Sequence, residues 1–308
     1  MKKYKFAIIS PCKNEDGNIK IFIDELKKLK KENNLDFSLL LIDDGSTDKT
    51  WDTICREKLD NDFIKAIKLS RTFGKESAID AGLNHVENNL DFYIIIDSDL
   101  QHPISVIPTL IKSYKDVEIV NTHRIDFKEG LLRETFSKLF YKVLKNFSEI
   151  KIISKTTDFM LISNKVRNKY VEIQEIDKTF RILINWLGFN SKSIPIKINY
   201  RKSGVSKYNF FNLFRLATNT ISSFSIFPIK VIGYIGLAMS ILSSILIIFF
   251  IINYFFSLTY FSWQTQFIIL QILLSGLTMT SVGLLGIYVS KILKNSNKRP
   301  NYIIEKEI

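Results

Sequence analysis

Cysteine, proline and glycine are scarce in this sequence, and each scarcity excludes a class of protein. The 308 residues include 2 cysteines, 6 prolines and 12 glycines. Cys12 and Cys55 match no metal-binding spacing and are too few for a disulfide framework, so we expect a reduced, cytosolic setting for the soluble part. Abundant aromatic residues, with 24 phenylalanines and 12 tyrosines, exclude a disordered chain. The apolar run after Lys5 has only the length of a strand, so we expect no signal peptide.

Acidic residues are scarce after Tyr200, where ten Lys or Arg stand against two Asp or Glu. The whole chain has a net charge of +12, so most of the surplus lies in this part. Basic charge beside apolar helices indicates an anionic membrane surface. Nucleic acid is the alternative partner for a basic chain, but no nucleic-acid-binding module is recognisable. We therefore predict contact with a lipid bilayer and no nucleic-acid partner.

Strands and helices alternate over the first hundred residues. Apolar runs predict buried strands, and apolar residues at helical spacing predict helices between them. The predicted strands are Lys5–Ser10, Phe37–Ile42, Phe63–Leu69 and Phe92–Ile96. This alternation indicates a doubly wound α/β domain, in which ligands bind beyond the carboxyl ends of the strands. Ala78 and Gly82 on the third helix predict its close approach to the sheet.

Polar side chains follow these four strands. They are Asn14 with Glu15, Asp43 with Asp44, Arg71, and Asp97 with Asp99. Any one cluster is compatible with an ordinary turn, because Asp and Asn are common in turns. Their shared position after successive strands favours one ligand site, where Asp43 and Asp44 can accept hydrogen bonds from a base or ribose. We also expect Ser46 or Thr47 to cap the next helix.

The fourth cluster, Asp97-Ser98-Asp99-Leu100-Gln101, has the composition of a metal site. Two carboxylates after a buried strand suit Mg²⁺ or Mn²⁺, which prefer oxygen ligands and usually share them with substrate phosphates. The amide oxygen of Gln101 can add a neutral ligand. Such an ion would neutralise the charge that develops on a departing nucleotide diphosphate. Arg71 and Lys75 can supplement it on the phosphates.

Two amphipathic segments lie further along the chain, at Leu131 to Phe147 and Asn209 to Phe224. The first opposes an apolar face with basic residues that include Arg133 and Lys138. Such a helix either packs on a core or lies in a membrane interface. Both alternatives stay open for the first segment, whereas nearness to the apolar runs that follow favours the interface for the second.

Two long runs near the C-terminus carry no charge: Val231 to Ile252, with 22 residues, and Phe267 to Val289, with 23. Each is long enough to cross a hydrocarbon core of about 30 Å. Lys230 precedes the first run and several basic residues follow the second. The positive-inside tendency therefore places both outer flanks and the α/β domain in the cytoplasm. Small residues such as Gly276 and Gly283 permit close helix packing and a multimer.

These features divide the chain into four parts. Residues 1–208 are predicted to form the cytoplasmic α/β domain, and residues 209–228 an amphipathic juxtamembrane helix. Residues 229–290 would form a two-helix transmembrane hairpin, and residues 291–308 a cytoplasmic tail. We therefore expect a protein of the cytoplasmic membrane with two spans.

The motifs together resemble those of a known family. The matching pieces are Pro11–Glu15, Leu41–Asp48, Leu69–Glu76, Asp97–Gln101, Arg201–Tyr208, the two spans and Arg299–Ile304. In this combination the chain is similar to inverting family-2 glycosyltransferases with the GT-A fold, a Rossmann-like α/β architecture. More narrowly, it resembles polyprenyl-phosphate glycosyltransferases, the group of dolichyl-phosphate mannosyltransferases and bactoprenol glucosyltransferases. The resemblance covers nearly the whole chain.

The resemblance implies roles for individual residues of the donor half. It places the nucleotide at Pro11, Glu15, Asp44 and Asp97. With the residues considered above, the expected nucleotide-sugar site comprises Pro11, Asn14, Glu15, Asp43, Asp44, Arg71, Lys75, Asp97 and Gln101. Asp97, Asp99 and Gln101 would surround the Mg²⁺ or Mn²⁺ ion, and Asp99 would be catalytic through that ion.

The acceptor half is implied in the same way. The lipid phosphate would be received at Arg124, Arg133 and Ser137, although Arg133 is also compatible with a solvated helix face. Asp158 matches an acidic position that serves as a base or positions the acceptor, and its alternative is a strand-end turn. Arg201, Ser206 and Lys207 would belong to a loop that closes over the donor and acceptor phosphates. The chain departs from the family at Met160 and at Arg181-Ile182, where an Arg and an Arg-Gly pair are common.

The implied reaction is transfer of one sugar to polyprenyl phosphate, with undecaprenyl phosphate as the expected acceptor. The donor stays open among UDP-glucose, UDP-N-acetylglucosamine, UDP-galactose and GDP-mannose, with UDP sugars favoured. A separate flippase and a downstream transferase would then use the product for cell-surface glycan modification. One alternative is a processive polysaccharide synthase, which needs more spans and usually a Gln-Xaa-Xaa-Arg-Trp motif that is absent before Trp186. The other is an inactive membrane scaffold, against which Arg71, Asp97 and Asp99 argue.

Overall fold

The computed structural model describes residues 4–125, 156–175, 178–198, 262–297 and 299–308, with single positions between 234 and 256. The described residues divide into two compact units. The first unit contains residues 4–125, 156–175, 178–198 and 299–308, and the second contains residues 262–297. The last ten residues of the chain therefore belong to the first unit, although the second unit precedes them.

In the described part of the first unit, strands and helices alternate as predicted over the first hundred residues. The elements are β1 Lys5–Cys12, α1 Asp16–Glu32, β2 Asp36–Asp43, α2 Thr50–Leu59, β3 Ile64–Leu69, α3 Lys75–His85, β4 Phe92–Ile95, α4 Ile107–Ser113, β5 Ile119–Arg124, β6 Thr156–Ser163, α5 Asn164–Glu172, α6 Phe180–Trp186, β7 Ser191–Ile196 and β8 Ile304–Glu307. The four predicted strands are confirmed, with ends that differ by one or two residues.

These strands form one sheet in the order β7-β5-β6-β4-β1-β2-β3-β8. Strands β3, β2, β1 and β4 are parallel neighbours. Strand β6 runs antiparallel to β4 and β5, and β7 is parallel to β5. The predicted parallel core is therefore present within a larger mixed sheet. Because β1 to β4 are parallel, the residues that follow them meet at one edge of the sheet.

Helices cover both faces of this sheet. Side chains alternate between the two faces of a strand, so successive residues of β1 join different layers. Phe6 and Ile8 are buried in a cluster that includes residues of α1, α2 and α4. Ile9 faces α3, where a Cβ placed on Gly82 would lie 2.5 Å from Cγ2 of Ile9. The close approach predicted for this helix is therefore confirmed, and it requires a residue without a side chain.

The start of α2 differs from the prediction. Lys49 is the N-cap residue, so the prediction that Ser46 or Thr47 caps this helix is wrong. Asp48 instead accepts a 3.0 Å hydrogen bond from the N–H of Thr50. Ser46 and Thr47 bond to the loop after β1: the N–H of Asn14 donates to Ser46 Oγ at 2.9 Å, and the N–H of Thr47 donates to Asn14 Oδ1 at 2.9 Å. The residues expected to cap a helix therefore join two loops.

The end of the chain adds an edge strand to the sheet. Strand β8 pairs antiparallel with β3. Ala66 and Ile308 exchange two backbone hydrogen bonds of 2.9 Å, and the N–H of Ser70 donates to the carbonyl of Ile303 at 2.9 Å. The sequence analysis treats residues 291–308 as a tail and does not foresee this strand. The segment supports β3 up to the loop that carries Arg71.

The described part of the second unit contains one long helix, α7 Trp263–Ser296, of 34 residues. The predicted span Phe267–Val289 lies within it. Most of Val231–Ile252 and both amphipathic segments lie outside the described residues. Within the part of the chain that the structure describes, no helix combines the length and the apolar character needed to cross a membrane. The predicted pair of membrane-spanning helices therefore has no support from the structure.

Candidate active site

The loops after β1, β2 and β4 are joined to one another. Glu15 precedes α1, and its N–H donates a 2.8 Å hydrogen bond to Thr50 Oγ1 at the start of α2. The hydroxyl of Ser98, between the two predicted metal ligands, donates to the carbonyl of Pro11 at 3.3 Å. Asn14 binds the β2 loop through the two hydrogen bonds already described. The predicted donor residues of these loops therefore lie at the same edge of the sheet.

Asp43 and Asp44 are buried, and their carboxylates stabilise the loops at this edge of the sheet through hydrogen bonds. The carboxylate of Asp43 accepts hydrogen bonds from the hydroxyl and the N–H of Ser46. Asp44 accepts from the N–H of Phe73 at 2.7 Å and from the N–H of Gly74 at 3.0 Å. Burial raises the pKa of both carboxyl groups. Asp44 therefore fixes the loop that leads into α3, a contact that the sequence pattern does not reveal.

The residue between β2 and this loop must be glycine. Gly45 has a φ of +63°, in the left-handed region that glycine adopts readily. A Cβ at this position would lie 2.5 Å from the backbone carbonyl carbon of Arg71. The guanidinium of Arg71 is exposed and stacks over the ring of Phe73, 4.0 Å from its centroid. Close backbone packing at Gly45 therefore positions an exposed cation beside the site.

Lys75 connects two carboxylates at the start of α3. Its Nζ lies 2.7 Å from Oδ1 of Asp97 and 2.7 Å from Oδ2 of Asp158. Asp97 follows β4 and Asp158 lies on β6, so the lysine joins two segments that are distant in sequence. The lysine side chain is 40% exposed, which leaves this bridge accessible from solvent. The two predicted functions, donor binding at Lys75 and acceptor chemistry at Asp158, therefore share one ionic contact.

Two further charged side chains complete this cluster. Nε of Arg181 lies 3.9 Å from Oδ1 of Asp158. Although burial raises it, the charges of Lys75 and Arg181 lower the pKa of Asp158 to about 2. Glu76 accepts a 2.8 Å hydrogen bond from the N–H of Phe180, and burial together with the charge of Asp158 raises its pKa to about 7. Neither Glu76 nor Arg181 is among the predicted site residues, and Arg181 lies in a pair that departs from the family pattern.

A group of metal-type ligands lies beside Lys75. Asp97, Asp99 and His102 each offer one ligand atom, and these atoms lie within 4.8 Å of one another. The N–H of Gln101 donates to Oδ1 of Asp99 at 3.1 Å. Burial lowers the pKa of His102 and so favours the neutral ring, although the charge of Asp97 acts in the opposite direction. Carboxylates and a neutral imidazole fit a divalent cation.

His102 follows Gln101 directly in the sequence, but it is not among the predicted site residues. The acceptor half is only partly described. Arg124 ends β5 and is half-buried. The other residues predicted to contact the lipid phosphate or to close over the site are Arg133, Ser137, Arg201, Ser206 and Lys207, and they lie outside the described residues.

Comparison with known proteins gives the family of the chain. The family described as Glycosyl transferase family 2 matches residues 7–171, which is more than half of the chain. A bactoprenol glucosyl transferase of Shigella phage SfV is 30% identical over 305 residues, which cover 98% of this chain and 99% of that protein. An uncharacterized glycosyltransferase of Synechocystis, sll0501, is 30% identical over 302 residues, which cover 97% and 94%.

A solved structure gives the fold. Mannosyl-3-phosphoglycerate synthase from Rubrobacter xylanophilus has a TM-score of 0.50 and 13% sequence identity, over 71% of this chain and 72% of that chain. At this identity the likeness concerns the fold alone, and it confirms the predicted GT-A-like α/β architecture. The resemblance inferred from the motifs is likewise confirmed, and the chain belongs to glycosyl transferase family 2.

Proposed function

We propose that this protein transfers one sugar from a nucleotide sugar to polyprenyl phosphate, with inversion at the anomeric carbon, at the cytoplasmic face of a membrane. The observation that carries the proposal is the cluster in which Asp97, Asp99, Lys75 and Asp158 converge at the edge of the sheet where the parallel strands end. Ligands of open α/β sheets bind at this edge. Paired carboxylates beside cations suit a metal-bound diphosphate.

The donor residues have separate roles in binding a nucleotide sugar. Asp97 and Asp99 would hold Mg²⁺ or Mn²⁺, which supplies charge neutralisation for the departing nucleoside diphosphate. Arg71 lies exposed on its loop and is free to approach a phosphate from outside the metal cluster. Lys75 lies within reach of the same diphosphate because its Nζ contacts Asp97. The buried carboxylate of Asp44 supports this site by holding the backbone of Phe73 and Gly74.

The phosphate acceptor can act as a nucleophile without a strong general base. The second pKa of a phosphate monoester is about 6, so its oxygen is mostly ionised at neutral pH. A carboxyl group whose pKa is about 2, as for Asp158, is a weak base at that pH. Asp158 therefore orients Lys75 and Arg181, which it contacts, more than it removes a proton. In this account it is a positioning residue.

Three features support the lipid acceptor and the membrane location. The relative from phage SfV is named as a bactoprenol glucosyl transferase and matches 98% of this chain. The two uncharged runs, Val231 to Ile252 and Phe267 to Val289, are each long enough to cross a bilayer as a helix. Basic residues flank these runs, as at the anionic surface of a membrane. UDP-glucose or another UDP-hexose is the donor that we propose.

The test uses the purified full-length protein with undecaprenyl phosphate. UDP-glucose, UDP-N-acetylglucosamine, UDP-galactose and GDP-mannose are offered in turn, with MnCl₂, with MgCl₂ or with EDTA. Release of nucleoside diphosphate and formation of lipid-linked sugar are measured, and NMR of the product reports the anomeric configuration. We expect one donor to react, only when both the lipid phosphate and a divalent ion are present.

Matched variants make this test specific. Asp99→Ala should abolish transfer, whereas Asp52→Ala, at an exposed position of α2, should retain it. Several products of increasing length would indicate a processive synthase. No reaction with any donor would favour a scaffold. Full transfer by Asp99→Ala or in EDTA would contradict the proposed role of the metal site.

A further inference from the structure

His102 is a buried side chain whose two ring nitrogens have no hydrogen-bond partner among the described residues. It is 5% exposed, and its ring packs against Phe159 with the centroids 5.6 Å apart. A buried polar group without a partner destabilises the folded state, so such groups are rare in folded proteins. The other two histidines differ, because Nδ1 of His123 lies 2.7 Å from Ser193 Oγ and Nδ1 of His85 lies 2.9 Å from the carbonyl of Ala81.

The unpartnered imidazole lies beside two carboxylates. Its Nδ1 is 3.9 Å from Oδ2 of Asp97, and one oxygen of Asp99 completes a group within 4.8 Å. An ion with bonds of about 2.1 Å joins two ligand atoms that are up to about 4.2 Å apart. The separation between His102 and Asp97 therefore admits one ion between them without rearrangement of the backbone.

The backbone before His102 is strained. Leu100 has a φ of +59°, in the left-handed region that a branched side chain seldom adopts. This conformation is unfavourable for a residue with a Cβ, and such strain concentrates at functional sites. Leu100 directly follows Asp99. Its left-handed backbone turns the chain, and His102 lies beside the carboxylates of Asp97 and Asp99. A strained residue and an unsatisfied imidazole thus lie two positions apart in the segment that follows β4.

We propose that His102 is the third protein ligand of the metal ion, together with Asp97 and Asp99. The inference rests on the proposed function only in requiring that this cluster binds a divalent ion. An imidazole nitrogen suits transition metals, whereas Mg²⁺ demands oxygen ligands. The site therefore prefers Mn²⁺ to Mg²⁺. The backbone N–H of Gln101, the residue that the sequence predicts as a further ligand through its amide oxygen, donates to Oδ1 of Asp99.

The test measures metal binding directly, without a sugar donor. Full-length protein is loaded with Mn²⁺ alone and studied by pulsed EPR, which detects a nitrogen nucleus bonded to the ion. We expect ¹⁴N modulation in the wild type and in Gln101→Ala, and its loss in His102→Ala. His85→Ala, which removes an imidazole whose partner is a helix carbonyl, is the matched control and should keep the signal.

Affinity gives a second readout. His102→Ala should weaken Mn²⁺ binding at least about tenfold while changing Mg²⁺ binding much less. His102→Asn keeps a polar side chain of similar reach and serves if the alanine variant does not fold. Unchanged ¹⁴N modulation in either folded variant would overturn the proposal, as would bound Mn²⁺ without ¹⁴N modulation in the wild type.

These outcomes are separable from those of the proposed function. If the wild type binds Mn²⁺ without nitrogen coupling but still transfers sugar in a metal-dependent reaction, only the role of His102 is wrong. If the wild type binds Mn²⁺ through His102 but transfers no sugar, the metal ligand stands and the proposed reaction fails. If Mn²⁺ does not bind at all, the role of His102 is overturned as well.

Discussion

Helix α3 carries two lysine–carboxylate contacts that differ in their surroundings. At its first residue, Lys75 bridges Asp97 and Asp158, and the lysine side chain is 40% exposed. Further along the helix, Asp80 pairs with Lys178 at 2.8 Å, and these side chains are 5% and 6% exposed. We call the first contact the open pair and the second the closed pair. In the open pair, a ligand can reach the charged groups and replace one ionic partner. In the closed pair, the charged groups are buried and a ligand cannot reach them.

The closed pair has the further contacts that a buried charge requires. Oδ1 of Asp80 also accepts a 3.3 Å hydrogen bond from Asn84, and Oδ2 accepts one of 3.4 Å from Asn301. Nζ of Lys178 lies over the ring of Tyr170, 4.9 Å from its centroid. Asn301 also donates to the carbonyl of Glu175 at 3.1 Å, so the returning C-terminal segment contributes to this pair. The same helix therefore serves chemistry at one end and fold stability at the other.

The largest expected effect separates the two contacts by stability. Lys178→Met leaves the carboxylate of Asp80 buried without its cation, and breaking a buried pair costs about 3–5 kcal/mol. We expect a fall of that size in the free energy of unfolding, measured by urea denaturation. Lys169→Met is the control, because the side chains of Lys169 and Glu172 are 54% and 61% exposed, and it should cost less than about 1 kcal/mol. Equal effects would remove the distinction between closed and exposed pairs.

The next effect separates the contacts by activity. Lys75→Met removes the cation between Asp97 and Asp158, so we expect sugar transfer to fall about 10²- to 10³-fold, as for other charge-stabilising groups. Because the pair is partly exposed, the free energy of unfolding should change by only about 1 kcal/mol or less. Transfer rates and urea curves on the same preparation check both values. A large loss of stability with unchanged kinetics would show that the open pair is structural.

A third change tests how closely α3 is held against the sheet. Gly82→Ala places a Cβ 2.5 Å from Cγ2 of Ile9 and 2.8 Å from Cδ1 of Ile42, so overpacking should cost about 1–3 kcal/mol. Gly17→Ala is the matched control, because no atom lies within 4 Å of its added Cβ. The free energy of unfolding of Gly17→Ala should rise by up to about 1 kcal/mol, because alanine has the higher helix propensity. Thermal denaturation of both proteins measures the contrast, and a stable Gly82→Ala would show that α3 has room to shift.

The smallest effect concerns pH at the open end of α3. Glu76 has its pKa raised from 4.5 to about 7 by burial and by Asp158, against the opposing charges of Lys75 and Arg181. The unfolded chain therefore releases this proton at lower pH, and the stability contributed by protonated Glu76 is lost as pH rises from 4.5 to about 7. The shift corresponds to at most about 3 kcal/mol. Because Glu76 is only partly buried, solvent screening reduces the expected decline to on the order of 1 kcal/mol, and Glu76→Gln should remove it. The prediction is wrong if the free energy of unfolding changes with pH in the same way for the wild type and Glu76→Gln between pH 4.5 and 8.

The open end of α3 was largely predictable from the sequence, because its signals are local. Strand-length apolar runs followed by Asp43, Arg71 or Asp97 specify which side chains reach one edge of the sheet. His102 was missed because the left-handed backbone at Leu100, not a periodic pattern, brings it to Asp97. The bridge from Lys75 to Asp158 was missed because it joins residues 83 positions apart.

The closed end was not predictable for a related reason. Asp80 and Lys178 are 98 positions apart, and each alone has the pattern of a solvated charge. Strand β8 has four residues, and its charged sequence resembles a tail more than a strand. Its pairing depends on β3 being present, so only the assembled sheet reveals it. Tertiary contacts of this kind leave no periodic trace in the sequence.

The most direct test of the metal and diphosphate site is the melting temperature of the full-length protein in the presence of UDP, with and without Mn²⁺. A ligand that binds only the folded state raises the melting temperature. We predict that UDP stabilises the wild type only when Mn²⁺ is present, and that Asp99→Ala abolishes this effect while Asp52→Ala preserves it. Equal stabilisation by UDP without Mn²⁺, or in Asp99→Ala, would contradict the account.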